Sequence, residues 1–215
     1  MSLIFYFHPL SSYCQKALIA LYETGVAFEP LVVDLGNEAS RAGLLKIWPM
    51  GKFPVLHDSA RDRPIPESSI IIEYLAQHYP GETELVPTDP DLARQTRMRD
   101  RFYDQYVMTP MQKVVTDRLR PDGQHDSYGV DQARGALQTA YGMIEQDMAT
   151  RTWAMGEAFT MADCAAAPAL FYANLVAPLA EAHPKTAAYL DRLVQRPSYA
   201  RAVCEAEPFM QYFPR

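Results

Sequence analysis

Five apolar or aromatic residues, Leu3 to Phe7, open the chain, and a run of that length predicts a strand buried on both faces. His8 and Pro9 end it, because proline has no ladder donor and fixes its own φ. From Tyr13 the period changes. Apolar residues at 17, 18, 20 and 21, with Gln15 and Lys16 between them, predict a helix that Thr24-Gly25 stops. Ala27 to Asp34 predicts a second strand, placed at an edge by its internal Pro30. Residues 35–47 carry a weak helical pattern. Val55 to His57 begins a third strand, Arg61-Asp62-Arg63 turns the chain into Pro64-Ile65, and 70–78 predicts an apolar helix capped by Ser68 or Ser69.

Beyond this the strand signals vanish. Residues 79–91, rich in proline, glycine and acids, have linker composition. Long, charge-laced helical patterns follow over 92–119, with aromatics at 102, 103 and 106, and over 130–150. Thr160 and Asp163 have capping-box spacing, and Phe159 stands where a hydrophobic staple would. The helix opening at Cys164 is small and apolar all round, so it is predicted to be buried, with Asp163 structural and Cys164 an inert core thiol. Shorter helices are expected over 184–195 and 198–205, each beginning at a proline. The aromatic tail is expected to lie over the domain interface. The division is an α/β domain over 1–79, a linker over 80–91 and an all-helical domain over 92–215.

Composition narrows the partners. A net charge of −6 gives no support to a nucleic-acid or anionic-membrane role. No window approaches the ~20 apolar residues of a membrane span. The N-terminus goes directly into a strand without a basic, then apolar, leader. Cysteines at 14, 164 and 204 form neither a disulfide framework nor a zinc pattern, so no metal is expected and the reading is a reducing cytoplasm.

The chemistry gathers at the first turn. Ser11 or Ser12 sits near an N-cap, beside unpaired N–H groups and the positive end of a helix dipole. That place favours a carboxylate, a phosphate or a thiolate. A free thiol with pKa ~8.5 is only about 3% ionised at pH 7. Lowering that pKa by about two units takes ~2.7 kcal/mol of preference for the thiolate. One hydroxyl donating to a charged sulfur, at roughly 1.5–3 kcal/mol, supplies much of it. The same serines also serve as plain helix caps.

Ser11-Ser12-Tyr13-Cys14 lies where glutaredoxins carry C-P-Y-C, with Ser11 in the place of the nucleophilic cysteine and Cys14 in that of the resolving one. The following Q-K-A-L-I-A-L resembles the first helix of cytosolic glutathione transferases, whose zeta class has a similar S-S-C-S turn. The tyrosine used by other classes at the end of the first strand is replaced here by Phe7. The resemblance is to a serine-type transferase, and it implies a thioredoxin-like N-terminal domain, βαβ then ββα with a mixed four-stranded sheet, followed by an all-α domain. It implies Ser11, with Ser12 and Cys14, as catalytic candidates. Phe53-Pro54 matches the cis-proline motif whose preceding residue pairs with the peptide part of glutathione. Glu67-Ser68 resembles the pair that holds the γ-glutamyl end, and Lys52 is a partner for the glycyl carboxylate.

The family resemblance implies glutathione as cosubstrate, a small hydrophobic electrophile as second substrate, and a homodimer. Tyr103, Tyr106 and Met111, with Met108 and Phe171, are the candidates for an apolar second-substrate pocket. The alternatives are glutathione-dependent thiol transfer or peroxidase chemistry through Cys14, a maleylacetoacetate-type isomerase, and a non-catalytic transferase-like binding adaptor. The S-S-Y-C turn departs from the zeta pattern at Tyr13 and Cys14.

Overall fold

A computed structural model describes residues 2–179 and 182–214. Four strands, β1 (Leu3–Phe7), β2 (Phe28–Val32), β3 (Val55–Asp58) and β4 (Arg63–Pro66), form one mixed sheet in the order β2-β1-β3-β4. β2 runs parallel to β1, whereas β3 is antiparallel to both β1 and β4. The prolines fall on the outer strands, Pro30 in β2 and Pro64 and Pro66 in β4, where a missing donor breaks no inner ladder. This is the thioredoxin-like arrangement expected from the sequence.

β1 departs from the expectation of burial on both faces. Leu3, Phe5 and Phe7 enter the main core, while Ile4 and Tyr6 are half-buried. Tyr6 packs on a small cluster of Val33, Leu44 and Val55 beneath α2 (Glu38–Ile47), and this short helix covers its face incompletely. On the other face lie α1 (Ser12–Thr24) and α3 (Ser68–His78). Gly25, at φ 67°, closes α1 in the left-handed region that glycine adopts without strain.

Residues 79–89 contain neither helix nor strand. Here Gly81 presses on the end of α1 so closely that a Cβ would stand 2.5 Å from Thr24 Cα. The expected single helix over 92–119 is instead α4 (Pro90–Phe102), a π-helical segment (Tyr103–Met108) and α5 (Thr109–Arg118). Then come α6 (Ser127–Asp147), α7 (Met161–Val176), α8 (Pro184–Gln195), α9 (Pro197–Ala206) and a short 3-10 segment (Glu207–Tyr212).

Helix α7 is the buried axis of this half. Asp163 fixes its start: Oδ2 accepts from Thr160 N–H at 2.8 Å, and Oδ1 from Ala154 N–H at 2.7 Å and the Tyr189 hydroxyl at 2.6 Å. Asp163 is therefore structural and Cys164 is a core thiol, as the pattern implied. The two halves are joined at the far end of α1, where the Arg196 guanidinium grips Glu23 at 2.6 and 2.7 Å and Thr83 donates to the same carboxylate at 2.7 Å. The tail crosses the junction. Phe209 meets His8 edge-on at 5.3 Å, Phe213 stacks on Tyr172 at 5.5 Å, and Arg118 donates to Pro214 C=O at 2.9 Å. Among the described residues no helix is long and apolar enough to cross a membrane.

Candidate active site

Ser11, at φ −75° and ψ 118°, is the N-cap of α1. Its Oγ accepts from Cys14 N–H at 3.3 Å, its C=O from Gln15 N–H at 2.9 Å, and its own N–H donates to His8 C=O at 2.9 Å. A hydroxyl that accepts a cap bond keeps its own proton for another acceptor, so capping and anion binding are compatible at one side chain. The N–H groups of Ser12 and Tyr13, orphaned by the helix start, have no partner among the described residues. The preceding bend is shaped by His8, whose Nδ1 accepts from Leu10 N–H at 3.2 Å. Burial lowers the His8 pKa, against an upward pull from Asp34, and so favours the neutral ring that this bond requires.

Of the three catalytic candidates only Ser11 lines the cleft between the domains, a space of about 670 Å³. Ser12 is buried behind it. Cys14 is fully buried with Sγ accepting from His8 N–H at 3.4 Å, and burial pushes its thiol up to about 12 despite the opposing hydrogen bonds of Ser11 and His8. A nucleophile needs thiolate and access, and Cys14 has neither.

The residues expected to bind the peptide come together in the same cleft: Lys52, Phe53, Pro54, Glu67 and Ser68. The Phe53-Pro54 peptide is cis. Phe53 precedes β3, and its N–H and C=O make no hydrogen bond among the described residues, which leaves them open to an added strand. Glu67 stands at φ 71° and ψ 121°, a conformation costing a non-glycine residue about 1–3 kcal/mol. It is the N-cap of α3 in place of Ser68 or Ser69, yet its side chain caps nothing. The carboxylate is thus exposed in the cleft beside the N–H groups that begin α3, which have no partner among the described residues.

Behind that turn lies a network the sequence did not announce. The Lys16 ammonium stands 2.8 Å from Ser69 Oγ, 2.8 Å from Asp104 Oδ2 and 2.7 Å from Asp100 Oδ1, and Ser69 donates to Asp100 Oδ2 at 2.6 Å. Asp104 also lines the cleft. Burial raises its pKa, with Asp100 adding to the rise and Lys16 opposing it.

The apolar second-substrate candidates do not line this cleft. Tyr103 and Met111 are 2% and 4% exposed and belong, like Met108, to the helical core. Tyr106 is 59% exposed and packs on Phe102, with ring centroids 5.6 Å apart. Phe171 borders a separate cavity of about 250 Å³ with Cys204 and Met210. The helical wall is built instead from Arg101, Asp104, Gln105, Thr109 and Gln112, and the sheet side gains Tyr13, Leu35 and Trp48. A signal for the wall existed: 101, 105, 109 and 112 are polar positions at helical spacing. No group of three or more His, Cys, Asp or Glu side chains placed to hold a metal ion occurs among the described residues.

Comparison with known proteins points to one family. Residues 5–83 match the model for the glutathione S-transferase N-terminal domain, and residues 127–192 that for the C-terminal domain. The chain is 27% identical over 212 residues to glutathione S-transferase U25 of Arabidopsis thaliana, spanning 95% of this chain and 90% of that protein. Glutathione S-transferase U10 of the same plant is 30% identical over 127 residues, which are 58% of this chain and 51% of that protein. Among solved structures, a glutathione S-transferase from Methylobacterium radiotolerans in complex with glutathione sulfonate superposes with TM-score 0.82 at 26% identity, covering 94% of each chain.

Proposed function

We propose that this chain, which belongs to the glutathione S-transferase family, binds glutathione in the cleft and activates its thiolate to attack a small electrophile held against the helical wall. One observation carries the reading. The Ser11 hydroxyl and the N-terminus of α1 share a cleft with the open backbone of Phe53 and with the Glu67-Ser68 turn. Glu67 pairs with the γ-glutamyl ammonium, while Ser68 and the first N–H groups of α3 receive its carboxylate. Phe53 pairs with the cysteinyl backbone, and Lys52 meets the glycyl carboxylate. The sulfur then lies at Ser11 and the N–H groups of Ser12 and Tyr13, which favour the charged form. Attack comes from the bound cosubstrate, so the protein supplies ionisation and proximity and forms no covalent intermediate.

The burial of Cys14 weighs against thiol transfer or peroxidase chemistry through that residue. The isomerase reading rests only on the serine turn, from which Tyr13 and Cys14 depart. A homodimer in the cytoplasm accords with this reading. Ile70, Leu92 and Met98 are exposed along α3 and α4, beside a groove of about 580 Å³ lined by Arg63, Tyr74 and Arg97.

The test is the ultraviolet absorbance of bound glutathione thiolate against pH, for the wild type and Ser11→Ala. A depressed thiol pKa that rises toward its free value in Ser11→Ala is the expected result. The same depressed value in both removes Ser11 from the mechanism. Failure of the wild type to bind glutathione at about millimolar concentration sinks the transferase reading in favour of a binding adaptor.

A further inference from the structure

On the reading that glutathione occupies the sheet side of the cleft, we propose that the second substrate is a polar electrophile carrying an anionic group, held by Arg101, Gln105, Thr109 and Gln112. The family resemblance led to an expectation of an apolar pocket, and the helical wall is the opposite. These four side chains are exposed, line the same cleft, and recur at intervals that keep them on one stripe from α4 through the π-helical segment into α5. Of the aromatic and methionine side chains between them, Tyr103, Met108 and Met111 are turned into the core, and the exposed Tyr106 does not line the cleft.

Arg101 differs from the other arginines of its helix. Arg94 pairs with Asp91 at 2.6 Å, Arg97 with Glu73 at 2.9 Å and Arg99 with Asp147 at 2.6 Å. Arg101 has no ion-pair partner among the described residues, and the nearby Asp104 is already held by Lys16. A guanidinium offers a carboxylate two parallel donors, and the amides and hydroxyl beyond it supply further donors and acceptors. A bare aryl group laid on the same stripe would strip water from four polar side chains and return no hydrogen bond. Tyr13, Leu35 and Trp48 on the sheet side accept the carbon skeleton, so the cleft orders a substrate with one apolar and one polar edge.

The test uses the intact protein with glutathione and two aryl chlorides, chlorodinitrobenzene and its ring carboxylate, chlorodinitrobenzoate. In both, the glutathione thiolate forms a carbon–sulfur bond, the carbon–chlorine bond breaks, and chloride leaves with the electron pair; the thiol proton has gone to solvent. Each kcat/KM is divided by the uncatalysed rate with glutathione. The benzoate is expected to be favoured about tenfold, the worth of one charge-assisted hydrogen-bond pair partly open to water. Arg101→Gln is expected to bring that ratio to about one, and Arg101→Lys to restore part of it.

A wild-type ratio at or below one, a ratio that survives Arg101→Gln, or no turnover of either chloride with glutathione bound would overturn the proposal. Glutathione binding is measured separately by calorimetric titration. Its absence in the wild type overturns the underlying transferase reading. A large loss of glutathione affinity in Arg101→Gln, with the benzoate preference intact, assigns Arg101 to glutathione and overturns this proposal alone.

Discussion

The Lys16 ammonium of α1 lies 2.7 Å from the Asp100 carboxylate of α4, and the lysine side chain is 1% exposed. Ser69 of α3 and Asp104 of the π-helical segment complete its surroundings, so one cation joins both domains beneath the cleft. Removing one partner of a buried pair leaves uncompensated charge, and Lys16→Met is expected to cost about 3–5 kcal/mol. A fall in the urea midpoint at constant m-value is the readout. A loss below ~1 kcal/mol, the worth of a surface pair, would mean that the seam holds without it.

Tyr13 lines the cleft beside Ser11 and offers a competing hydroxyl. Burial, then the charges of Asp104, Glu67 and Asp100, push its phenol up to about 12, so it stays protonated at neutral pH and can donate but not act as a base. In the thiolate titration, Ser11→Ala is expected to raise the bound thiol pKa by about 1–2 units and Tyr13→Phe by less than about half a unit. The reverse order would move the stabilising role to Tyr13.

Acid should loosen the sheet through Asp58. Burial alone would raise its pKa, but hydrogen bonds from Tyr79, Tyr74, Arg61 and Ala60 N–H hold it at about 2, below its ordinary 3.8. A carboxyl depressed by folding contributes stability that is complete above its unfolded pKa and lost as pH falls through the folded value. The contribution is roughly 2 kcal/mol, lost between about pH 4 and pH 2. Tyr79→Phe removes one donor and should shrink that loss in urea titrations at stepped pH. An unchanged acid profile would show that the hydroxyl does not set this carboxyl's pKa.

Accessibility separates the three thiols. Cys204 is exposed, whereas Cys14 and Cys164 are buried, and burial raises both of the buried thiols. A maleimide added to the native protein is expected to label Cys204, with the other two reacting only after unfolding, as read by mass spectrometry of the digested chain. Native labelling of Cys14 at a comparable rate would revive the thiol-exchange reading.

The strands, the Thr160–Asp163 cap and the serine turn were legible in local chemistry, as a missing donor, a short cap and a change of period, whereas the mixed sheet and the cis Phe53-Pro54 peptide were implied by the family resemblance. Lys16 was not, since in sequence it is one polar residue between apolar ones, and its partners lie far away at 69, 100 and 104. Glu67, which the resemblance named for the γ-glutamyl end, does line the cleft, but its place as the strained cap was not legible, because nothing in the sequence reveals a positive φ outside glycine. The second-substrate wall failed for a different reason. The polar positions 101, 105, 109 and 112 already mark one stripe at helical spacing, but an apolar pocket was expected of the aromatic and methionine residues among them, and Tyr103 and Met111 go instead to the core.

The π-helical segment also bears on how such a wall can change over generations. A π turn holds more residues than an α turn, and deletion of a single codon within 103–108 would return the segment toward ordinary pitch. Everything from Thr109 onward would then rotate by about 100° relative to α4. The lineage would show the cleft a different set of side chains without exchanging any of those it already has.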